Sequence, residues 1–539
     1  MVVRLRRLVR WWYKTDWAIG LTVFLIAVIP RLIPSGMFMD PDSATLWIGR
    51  TRGFLEALQG GDPNLFAPSV HPGVPLMWLT AAGLGWWKLV SGFFSGPDQL
   101  EAFTWMVKVP LALVTSGLAV GAWRYLRRWA ARPVAILTAA IFALDPLYLV
   151  FSRYQHLDAL VTGFVFVGLI ATWSGITQRR FGDLAVGSAL LVLGILTRLN
   201  GGLAIVVAAI GLAFFWPRGG KRKAWLVFCL SGSVTALIVW PAILFGPQGI
   251  IDLLNNRIGL ALVPHEVAPN VDVIPWVRGL LYPLFILTRE FPLLLGLAAV
   301  GVVRLWRGRT PFDRFGQGLT IFSLAYYAML LALPKDLDRY ALPLIGPLAL
   351  FSAQGMLWMW SKLPTRVFRS LFIGLMIFQL ILFYRLGPYF QTYQNFLTNL
   401  ARQTPLGTSQ ALDPAWGEGI SEAVAYLKNG QPTLPPTAAW FAGVACYYGS
   451  AHKSTEYPFV GRDHLACPPG LRWLATPQDA TYLILSRDQI AQRIYPKLLD
   501  DIDRLGWQPE KVISINGVPH VYIYRNQGGL AKRYKLTDQ

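Results

Sequence analysis

Two carboxylates, Asp40 and Asp42, follow an apolar run from Trp17 to Ile33 in the stretch "GMFMDPDSATLWIGR". Ionisable groups near a bilayer are costly and usually face a cavity or a charged partner. More such groups stand at the ends of later apolar runs. The candidate site residues are Asp40, Asp42, His71, Lys108, Arg153, His156, Asp158, Arg198, Arg257, His265, Lys335, Arg339 and Tyr340. Acids and cations gathered at one level of a membrane suit an anionic lipid substrate.

The apolar runs that carry these residues dominate the sequence. Of 539 residues, 54% are hydrophobic and 14% are charged, which is far from the balance of a soluble globular domain. Several runs approach the roughly 20 apolar residues that cross a hydrocarbon core, where a helix satisfies its own backbone. The composition therefore predicts a polytopic α-helical membrane protein.

The net charge of +20 is distributed in short basic clusters between the apolar runs. The six clusters are "RLRRLVRWWYK" at the N-terminus, "RYLRRWAAR", "QRR", "PRGGKRK", "RLWRGR" and "SKLPTRVFR". They form no continuous basic face, so nucleic acid is not an expected partner. The positive-inside rule instead places all six clusters on the cytoplasmic side.

The apolar run over residues 73–94 decides the number of spans. If it crossed the membrane, every cluster after the first would move outside, whereas a Trp-rich helix along the outer interface leaves all six inside. About eleven membrane-spanning helices follow, in a multi-pass protein of the plasma or inner membrane with a cytoplasmic N-terminus. The outer segments are a first external loop 36–102 with interfacial helices, the turns 151–158, 197–201 and 334–340, and the loop 246–288.

The predicted membrane domain covers residues 1–386, and the composition changes after it. Over residues 387–539, 14 Lys or Arg stand against 12 Asp or Glu, the nearly neutral balance of a soluble domain. Helical and strand patterns alternate there, and "KVISINGVPHVYIYR" predicts a hairpin that turns on Asn516 and Gly517. We expect a C-terminal extracytoplasmic α/β domain.

Each candidate residue also has a structural explanation. Asp42 precedes an amphipathic stretch and would make a good helix N-cap, which does not exclude catalysis. Asp40, held before a proline, suits a loop acid or a metal ligand better than a base. Arg153 and Asp158 are spaced to pair across one turn. Arg198 ends a span, and its side chain can extend to the interface.

The later cations and the histidines also have structural explanations. Lys335 and Arg339 could belong to a solvated loop with internal ion pairs. His71 and His265, taken singly, belong to a residue type that is more often structural than catalytic. No single candidate is a strong signal, so the functional interpretation depends on the order of the candidates along the chain.

Motifs of several other enzyme classes are missing from the sequence. Neither G-x-x-x-x-G-K-[ST] nor a strand-linked G-x-G-x-x-G occurs, which disfavours a nucleotide-dependent activity. There is also no H-E-x-x-H or C-x-x-C pattern for zinc and no G-x-S-x-G elbow for a hydrolase. We therefore expect no required cofactor.

Several short motifs, read in order, resemble one family. They are "DPDSA" after the first span, "HPGVP" opening the interfacial run, "WMVKVPLAL", "SRYQHLD", "LTRLNG", and "KDLDRYALPLIGPLAL" before a late span. Their order resembles the C-type (GT-C) membrane glycosyltransferases, in particular the branch of the protein O-mannosyltransferases and the lipid A aminoarabinose transferases, and so a bacterial glycosyltransferase family 39-like protein. The resemblance covers roughly residues 15–390.

This resemblance implies a glycosyltransferase of the cell envelope. It would move a sugar from a polyprenyl-phosphate donor to an acceptor hydroxyl on the outer face of the membrane, with inversion at the anomeric carbon. Asp42 matches the catalytic acid of the family, although Ser43 stands where the family commonly has Glu. Arg198, Lys335 and Arg339 would then cradle the lipid phosphate.

Asp40 and Asp158 are counted with Asp42 as catalytic candidates in this interpretation, in roles that support Asp42. Arg153 and Asp158 would orient the acceptor or the loop of Asp42, and Asp40 either compensates for the missing Glu or is dispensable. The oligosaccharyltransferase branch has a second acidic pair that helps to hold a metal. Asp158 stands without such a pair, so a divalent metal site there stays open but is not favoured, and none is required. The remaining substrate-binding candidates are His71, Lys108, His156, Arg257, His265 and Tyr340.

Two other functions remain open. A polyprenyl-lipid flippase or transporter would line its path with the same charges, but no inverted repeat and no matched pair of interrupted spans is visible. A non-catalytic assembly factor would keep the fold and lose the activity, because fold does not fix function. The sequence leaves the sugar, the polyprenyl chain and the acceptor, whether protein, glycan or lipid, undetermined.

Overall fold

The structure, a computed structural model, describes most of the helical part and pieces of the C-terminal part. The described ranges are 15–33, 47–60, 72–94, 98–241, 291–332, 338–387, 418–430, 437–439, 472–473, 481–487 and 496–530, with a few single residues between them. The candidate site residues outside the described residues are Asp40, Asp42, His71, Arg257, His265 and Lys335.

Helices dominate the described chain. In its first half they are α1 (Asp16–Leu32), α2 (Ile48–Gly60), α3 (Val74–Val90), α4 (Asp98–Leu126), α5 (Arg132–Leu144), α6 (Pro146–Phe151), α7 (Leu157–Gln178), α8 (Phe181–Thr197), α9 (Gly202–Phe215) and α10 (Lys221–Val239). Later they are α11 (Pro292–Arg307), α12 (Pro311–Ala332), α13 (Ile345–Lys362), α14 (Thr365–Leu386), α15 (Ile420–Gly430) and α16 (Pro496–Arg504). Short 3₁₀ turns lie at Ser91–Phe93, Leu199–Gly201 and Asp338–Leu344.

Five helices among the described residues are long and apolar enough to cross a membrane. They cover Ala102–Leu126, Leu157–Gln178, Lys221–Val239, Pro311–Ala332 and Arg339–Lys362. Helices α5 and α8 and the stretch Leu199–Phe215 are apolar but shorter. The mostly helical membrane architecture therefore agrees with the sequence, whereas the number of eleven spans stays a prediction.

Helix α7 lies at the centre of the helical part. Its side chains are buried from Leu157 to Ile176, because it packs against α4, α8, α9 and α13. Helix α8 runs back along it at short range, since a Cβ on Gly187 would meet Thr172. This close antiparallel contact fixes the ends of α7 and α8 relative to each other.

Helices α11 and α13 approach each other even more closely. A Cβ on Gly301 would meet the carbonyl oxygen of Phe351, and a Cβ on Gly355 would meet the carbonyl oxygen of Leu297. Small residues allow helix backbones to touch in this way inside a membrane. The two helices therefore form a tightly fitted pair, and the 3₁₀ turn with Arg339 leads directly into α13.

Exposed tryptophans mark several helix ends. Trp17 lies at the start of α1, Trp306 near the end of α11, and Trp358 and Trp360 near the end of α13, and all four are exposed. The ends of α11 and α13 belong to basic clusters of the sequence, and the N-terminal basic cluster precedes α1. Trp together with Lys and Arg is typical of the membrane–water interface. The exposed apolar face of α10, which includes Leu226, suits contact with lipid chains.

A five-stranded mixed sheet lies in the C-terminal part. Its strands are β1 (Thr437–Ala439), β2 (Arg472–Trp473), β3 (Tyr482–Ser486), β4 (Lys511–Ile515) and β5 (Val518–Arg525). The order is β2-β1-β3-β5-β4, with β1 parallel to its two neighbours and β5 antiparallel to its own. The predicted hairpin is confirmed: Asn516 and Gly517 have φ angles of 51° and 78°, as a two-residue type I′ turn requires.

The sheet rests on the helical part. Ile420 of α15 and Val521 and Ile523 of β5 belong to one buried apolar cluster with Trp87 of α3 and Phe103 of α4. Burial of large apolar side chains on both sides stabilises this contact. The extracytoplasmic position and the boundary of a separate domain 387–539 stay predictions.

Candidate functional site

The site is built around the N-terminal end of α7. The preceding helix, α6, has Asp145 as its N-cap: the Asp145 carboxylate accepts a 2.8 Å hydrogen bond from the amide of Tyr148. Pro146 is the first residue of α6, a position that favours proline. A short turn follows, and His156, with an extended backbone, precedes the first residue of α7. Asp158 therefore stands in the first turn of α7, where the helix dipole favours a negative charge.

Asp158 is the centre of a cluster of nitrogen-bearing side chains. It is 1% exposed, and its Oδ1 forms an ion pair with Nη1 of Arg198. Its Oδ2 lies 2.7 Å from Nδ1 of His156 and 3.9 Å from Nε of Arg339. Three separate turns of the chain, 151–158, 197–201 and 338–344, thus meet at one buried carboxylate.

His156 and Asp158 lie in direct contact at the start of α7. Nδ1 of His156 is 2.7 Å from Oδ2 of Asp158, an ion-pair distance when the imidazole is protonated. The amide of Asp158 donates a 3.4 Å hydrogen bond to the same Nδ1, so the His156 side chain caps the helix. His156 therefore lies at Oδ2 of the carboxylate, whereas Arg198 pairs with Oδ1.

Arg198 is arranged to bind a further anion. Its guanidinium lies over the ring of Tyr340, 4.2 Å from the ring centroid, and uses Nη1 for the pair with Asp158. A guanidinium has five N–H donors in a planar fork that matches carboxylate and phosphate groups. Arg339 approaches the same carboxylate from another turn. Two guanidinium groups beside one carboxylate suit the binding of a phosphate.

A tyrosine hydroxyl in α12 connects the two turns that carry these arginines. Asn200, in the 3₁₀ turn after Arg198, donates through Nδ2 to Oη of Tyr326 at 2.6 Å. The Tyr326 hydroxyl then donates to the carbonyl of Tyr340, next to Arg339, at 3.1 Å. Tyr326 is 1% exposed. The separation between the two turns is therefore fixed from inside the helix bundle.

A second group of buried polar side chains lies at the same turn. Tyr154 precedes His156 by two residues, and its hydroxyl donates to Oε1 of Glu418 at 2.8 Å. The Nζ atom of Lys108 lies 5.7 Å from the centroid of the Tyr154 ring, within the range of a cation–π contact. Lys108 and Glu418 are 2% and 1% exposed. Charged groups of α4 and of the C-terminal part therefore meet beside the Asp158 cluster.

Arg153 has a different partner from the one that its spacing suggested. The ion pairs of Asp158 are those described above, so the expected pair across the turn is not formed. Arg153 instead donates through Nη1 to the carbonyl of Pro30 and through Nη2 to that of Ile33 at 3.2 Å. Burial lowers the pKa of Arg153 to about 10, which leaves it charged at neutral pH. A cation is favoured at a helix C-terminus, and Arg153 holds the end of α1.

Asp42 and His71 lie outside the described residues, but the residues that follow their segments are described and lie beside α8. The amide of Gly73 donates to the carbonyl of Thr197 at 3.2 Å, at the end of α8. Gly73 has a φ of +62°, and the Trp47 ring occupies the place of a Cβ, so glycine fits this position best. Asp42 stands five residues before Trp47, and His71 stands two before Gly73, both outside the described residues. Both segments therefore join the described chain close to Arg198.

The structure thus brings some candidates together and places others nearby. The residues that meet are His156, Asp158, Arg198, Arg339 and Tyr340. Lys108 and Arg153 lie in the contacts around the same turn. Within the described ranges, no group of three or more His, Cys, Asp or Glu could hold a metal ion. The positively charged neighbours of Asp158 also do not fit a divalent cation, which takes several oxygen ligands.

Three residues of this region were not among the sequence candidates. Asn200 stands in "LTRLNG" beside Arg198, and Tyr326 is a polar group inside an apolar span, so the sequence held a signal for both. Glu418 follows Tyr154 by 264 residues, and nothing in its local sequence indicates the contact. Side-chain pairing over such a separation depends on the tertiary fold.

The architecture described above is the GT-C fold of membrane glycosyltransferases, which confirms the resemblance of the sequence at the level of the fold. The chain is similar to the aminoarabinose transferase ArnT from Cupriavidus metallidurans. With the structure bound to undecaprenyl phosphate, the TM-score is 0.51 at 14% sequence identity, over 95% of this chain and 98% of that chain. With the apo structure of ArnT, the TM-score is 0.50 at 15% sequence identity, over 96% of this chain and 98% of that chain.

A further similar structure is that of the archaeal oligosaccharyltransferase AglB from Archaeoglobus fulgidus. Its TM-score is 0.39 at 14% identity, over 84% of this chain and 62% of that chain. No protein-family model and no curated protein sequence matches the chain. The TM-scores with ArnT show a common fold, and at these sequence identities the activity has to be argued from the site.

Proposed function

We propose that this protein is a glycosyltransferase that moves a sugar from a polyprenyl-phosphate donor to an acceptor hydroxyl on the outer face of the cell membrane. The observation that carries the proposal is the meeting of Arg198 and Arg339 at the buried carboxylate of Asp158. When a sugar phosphoester is cleaved, negative charge grows on the departing phosphate. Fixed cations in a site of low dielectric constant stabilise that charge strongly.

On the donor side, Asp158 positions the arginines and does not itself react. A general base must reach the acceptor hydroxyl, whereas Asp158 is buried and both of its oxygens face His156 or arginine nitrogens. We therefore revise the catalytic role that the sequence suggested for Asp158. Arg198, stacked on Tyr340, and Arg339 bind the phosphate, supplying the positive charge that a metal supplies in other enzymes.

On the acceptor side, Asp42 is the proposed base. It stands five positions before Trp47, and five steps of a fully extended chain span at most about 18 Å. Arg153 anchors the other end of the same segment through its hydrogen bonds to the end of α1. Asp40 would support Asp42 as a neighbouring acid. Attack from the face opposite the phosphate inverts the anomeric carbon.

The remaining candidates are assigned to substrate binding. Lys335 belongs to the same turn as Arg339 and would add a third cation at the phosphate. Lys108 lies beside the site, His71 stands two residues before Gly73 in the sequence, and Arg257 and His265 belong to the predicted outer loop 246–288. The fold neighbour ArnT was captured with undecaprenyl phosphate, which supports a polyprenyl phosphate as the lipid of the donor.

Reconstitution in liposomes tests the proposal. The purified full-length protein would be given undecaprenyl phosphate carrying radiolabelled mannose, glucose or aminoarabinose, with protein, glycan and lipid acceptors. We expect one of the sugars to leave the lipid, with release of undecaprenyl phosphate. Labelled lipid that only changes leaflet would identify a flippase or transporter and overturn the proposal.

The variant Asp42→Asn tests the proposed base. Because the change keeps the shape and removes the proton acceptor, we expect transfer to fall by about a hundredfold or more, as is typical of a lost general base. The amount of protein in the membrane should not change. Asp40→Asn serves as the matched variant and should lower transfer much less, because Asp40 supports Asp42 and does not itself accept the proton. Wild-type turnover by Asp42→Asn would remove Asp42 from the mechanism.

A further inference from the structure

The C-terminal part of the chain reaches the turn before α7 through one buried carboxylate. Glu418 stands two residues before α15 and is 1% exposed, although glutamate is among the residue types least often buried. It accepts the hydrogen bond of the Tyr154 hydroxyl. Gly419 follows with a φ of +83° and lies close to Ile513 of β4 and Val521 of β5. Glu418 is therefore held against the sheet.

Tyr154 connects this carboxylate to the Asp158 cluster. Its carbonyl accepts a 2.7 Å hydrogen bond from the amide of His156, and Nδ1 of His156 lies 2.7 Å from Asp158. The ring of Phe151 packs edge-on against both the Tyr154 ring and the His156 ring, at centroid distances of 5.9 and 6.1 Å. A displacement of Tyr154 therefore displaces His156 as well.

Four consecutive residues of this turn hold four different parts of the molecule. Arg153 holds the end of α1, and Tyr154 holds Glu418. Gln155 donates through Nε2 to the hydroxyl of Thr80 in α3, and Nδ1 of His156 lies at ion-pair distance from the carboxylate in α7. The turn is thus a junction whose geometry depends on each attachment, and the C-terminal part supplies one of them.

We propose that Glu418 is a positioning residue of the site. By fixing the Tyr154 hydroxyl, the C-terminal part places His156 and Asp158, and through Asp158 the two arginines that bind the donor phosphate. This inference rests on the function proposed above. A hydrogen bond to a carboxylate is roughly twice as strong as one between neutral groups, so the contact is strong enough to set the position of the turn. Docking of the C-terminal sheet then completes the donor site.

Binding of undecaprenyl phosphate to the purified full-length protein is the test. In Glu418→Gln, which keeps the shape and removes the charge, we expect the Kd for undecaprenyl phosphate to rise about tenfold, roughly the effect of replacing a charged hydrogen bond by a weaker neutral one. The donor KM should rise equally, with the acceptor KM and the thermal stability unchanged. Tyr154→Phe should behave the same, and the double variant should be no worse than either single variant, because both remove one contact.

The matched control is Glu422→Gln. Glu422 also belongs to the C-terminal part and accepts a hydrogen bond from Tyr389, which follows α14 and lies outside the turn. We expect its Kd for undecaprenyl phosphate to equal that of the wild type. A wild-type Kd in Glu418→Gln, additive effects in the double variant, or an equal loss in Glu422→Gln would each overturn the inference. Wild-type protein that binds the lipid but transfers no sugar would overturn the proposed function alone.

Discussion

Helices α7 and α8 carry a buried carboxylate paired with arginine at each end of their antiparallel contact, and the two ends differ in what the carboxylate holds. At the end farther from the site, Asp183 in the first turn of α8 forms an ion pair with Arg128 through one oxygen. Its other oxygen accepts a 2.7 Å hydrogen bond from the Ser174 hydroxyl in the last turns of α7. One carboxylate, one guanidinium and one hydroxyl fasten the two helices to the end of α4.

At the other end, Asp158 in the first turn of α7 meets two guanidinium groups and a histidine. Arg198 belongs to the turn that immediately follows α8, so its ion pair with Asp158 alone would only join two neighbouring helices. Arg339, however, comes from a turn 181 positions after Asp158 in the sequence. His156 adds a third nitrogen. The same type of pair is here surrounded by cations from distant parts of the chain.

The difference shows what distinguishes a ligand-binding site from an ion pair that only joins helices. A buried ion pair is weak evidence for either stability or function, because its attraction is offset by the loss of hydration. The convergence of several cations from separate turns on one carboxylate, at helix ends, is more informative, since such charges would repel one another without a shared anion. We therefore assign ligand binding to the Asp158 end and helix fastening to the Asp183 end.

The largest expected effect comes from replacing the two carboxylates separately. Asp158→Asn and Asp183→Asn each remove one partner of a buried ion pair, which costs about 3 to 5 kcal/mol, so both should lower the thermal stability. Transfer should fall by about a hundredfold or more in Asp158→Asn, because the arginines lose their common anchor, and stay within about threefold in Asp183→Asn. Thermal unfolding measures the loss of stability, and initial rates measure the loss of transfer. Equal losses of transfer in the two variants would contradict the assignment of ligand binding to the Asp158 end alone.

A smaller effect is expected from Arg339→Ala. Loss of one guanidinium at the phosphate should raise the donor KM about tenfold and leave the acceptor KM unchanged, because the contact concerns the donor. Arg304→Ala is the matched variant, since Arg304 approaches the carboxylate of Asp313 at 3.8 Å, much as Arg339 approaches Asp158. Steady-state kinetics with varied donor would contradict the assignment if the donor KM of Arg339→Ala stayed at the wild-type value.

The smallest effect is expected from Tyr326→Phe. The variant loses the hydroxyl that links Asn200 to the carbonyl of Tyr340, and a neutral hydrogen bond contributes about 0.5 to 1.5 kcal/mol. The donor KM should therefore rise about three- to tenfold. Tyr327→Phe removes a hydroxyl from the next residue and should leave the donor KM unchanged. Equal effects of the two variants would mean that Tyr326 acts through general packing.

The sequence predicted the parts of this arrangement that depend on segment order and local chemistry. The placement of basic clusters put the turns 151–158, 197–201 and 334–340 on one side, and the contacts of Asp158 bring described residues of all three together. The hairpin at Asn516 and Gly517 followed from turn chemistry that needs no tertiary contact. The membrane side of these turns and the count of eleven spans stay predictions.

What the sequence could not supply are the pairings that depend on helix depth and rotation. Arg153 and Asp158 are near neighbours in the chain, yet Arg153 points to the end of α1, because α1 packs against this turn. The hydrogen bond between Tyr154 and Glu418 joins two parts of the chain that share no sequence pattern. Periodicity gives the face of a helix, but the partner on that face is chosen by packing.

The fitted backbones of α11 and α13 limit how the molecule could open. Because a Cβ at Gly301 or Gly355 would meet a carbonyl oxygen of the other helix, sliding one helix along the other would bring larger side chains into collision with the partner's main chain. Arg339 is connected to α13 through a single short turn and must travel with both helices as one rigid block. A gate that admits a long lipid tail would therefore swing this block as a whole or displace a neighbouring helix such as α12.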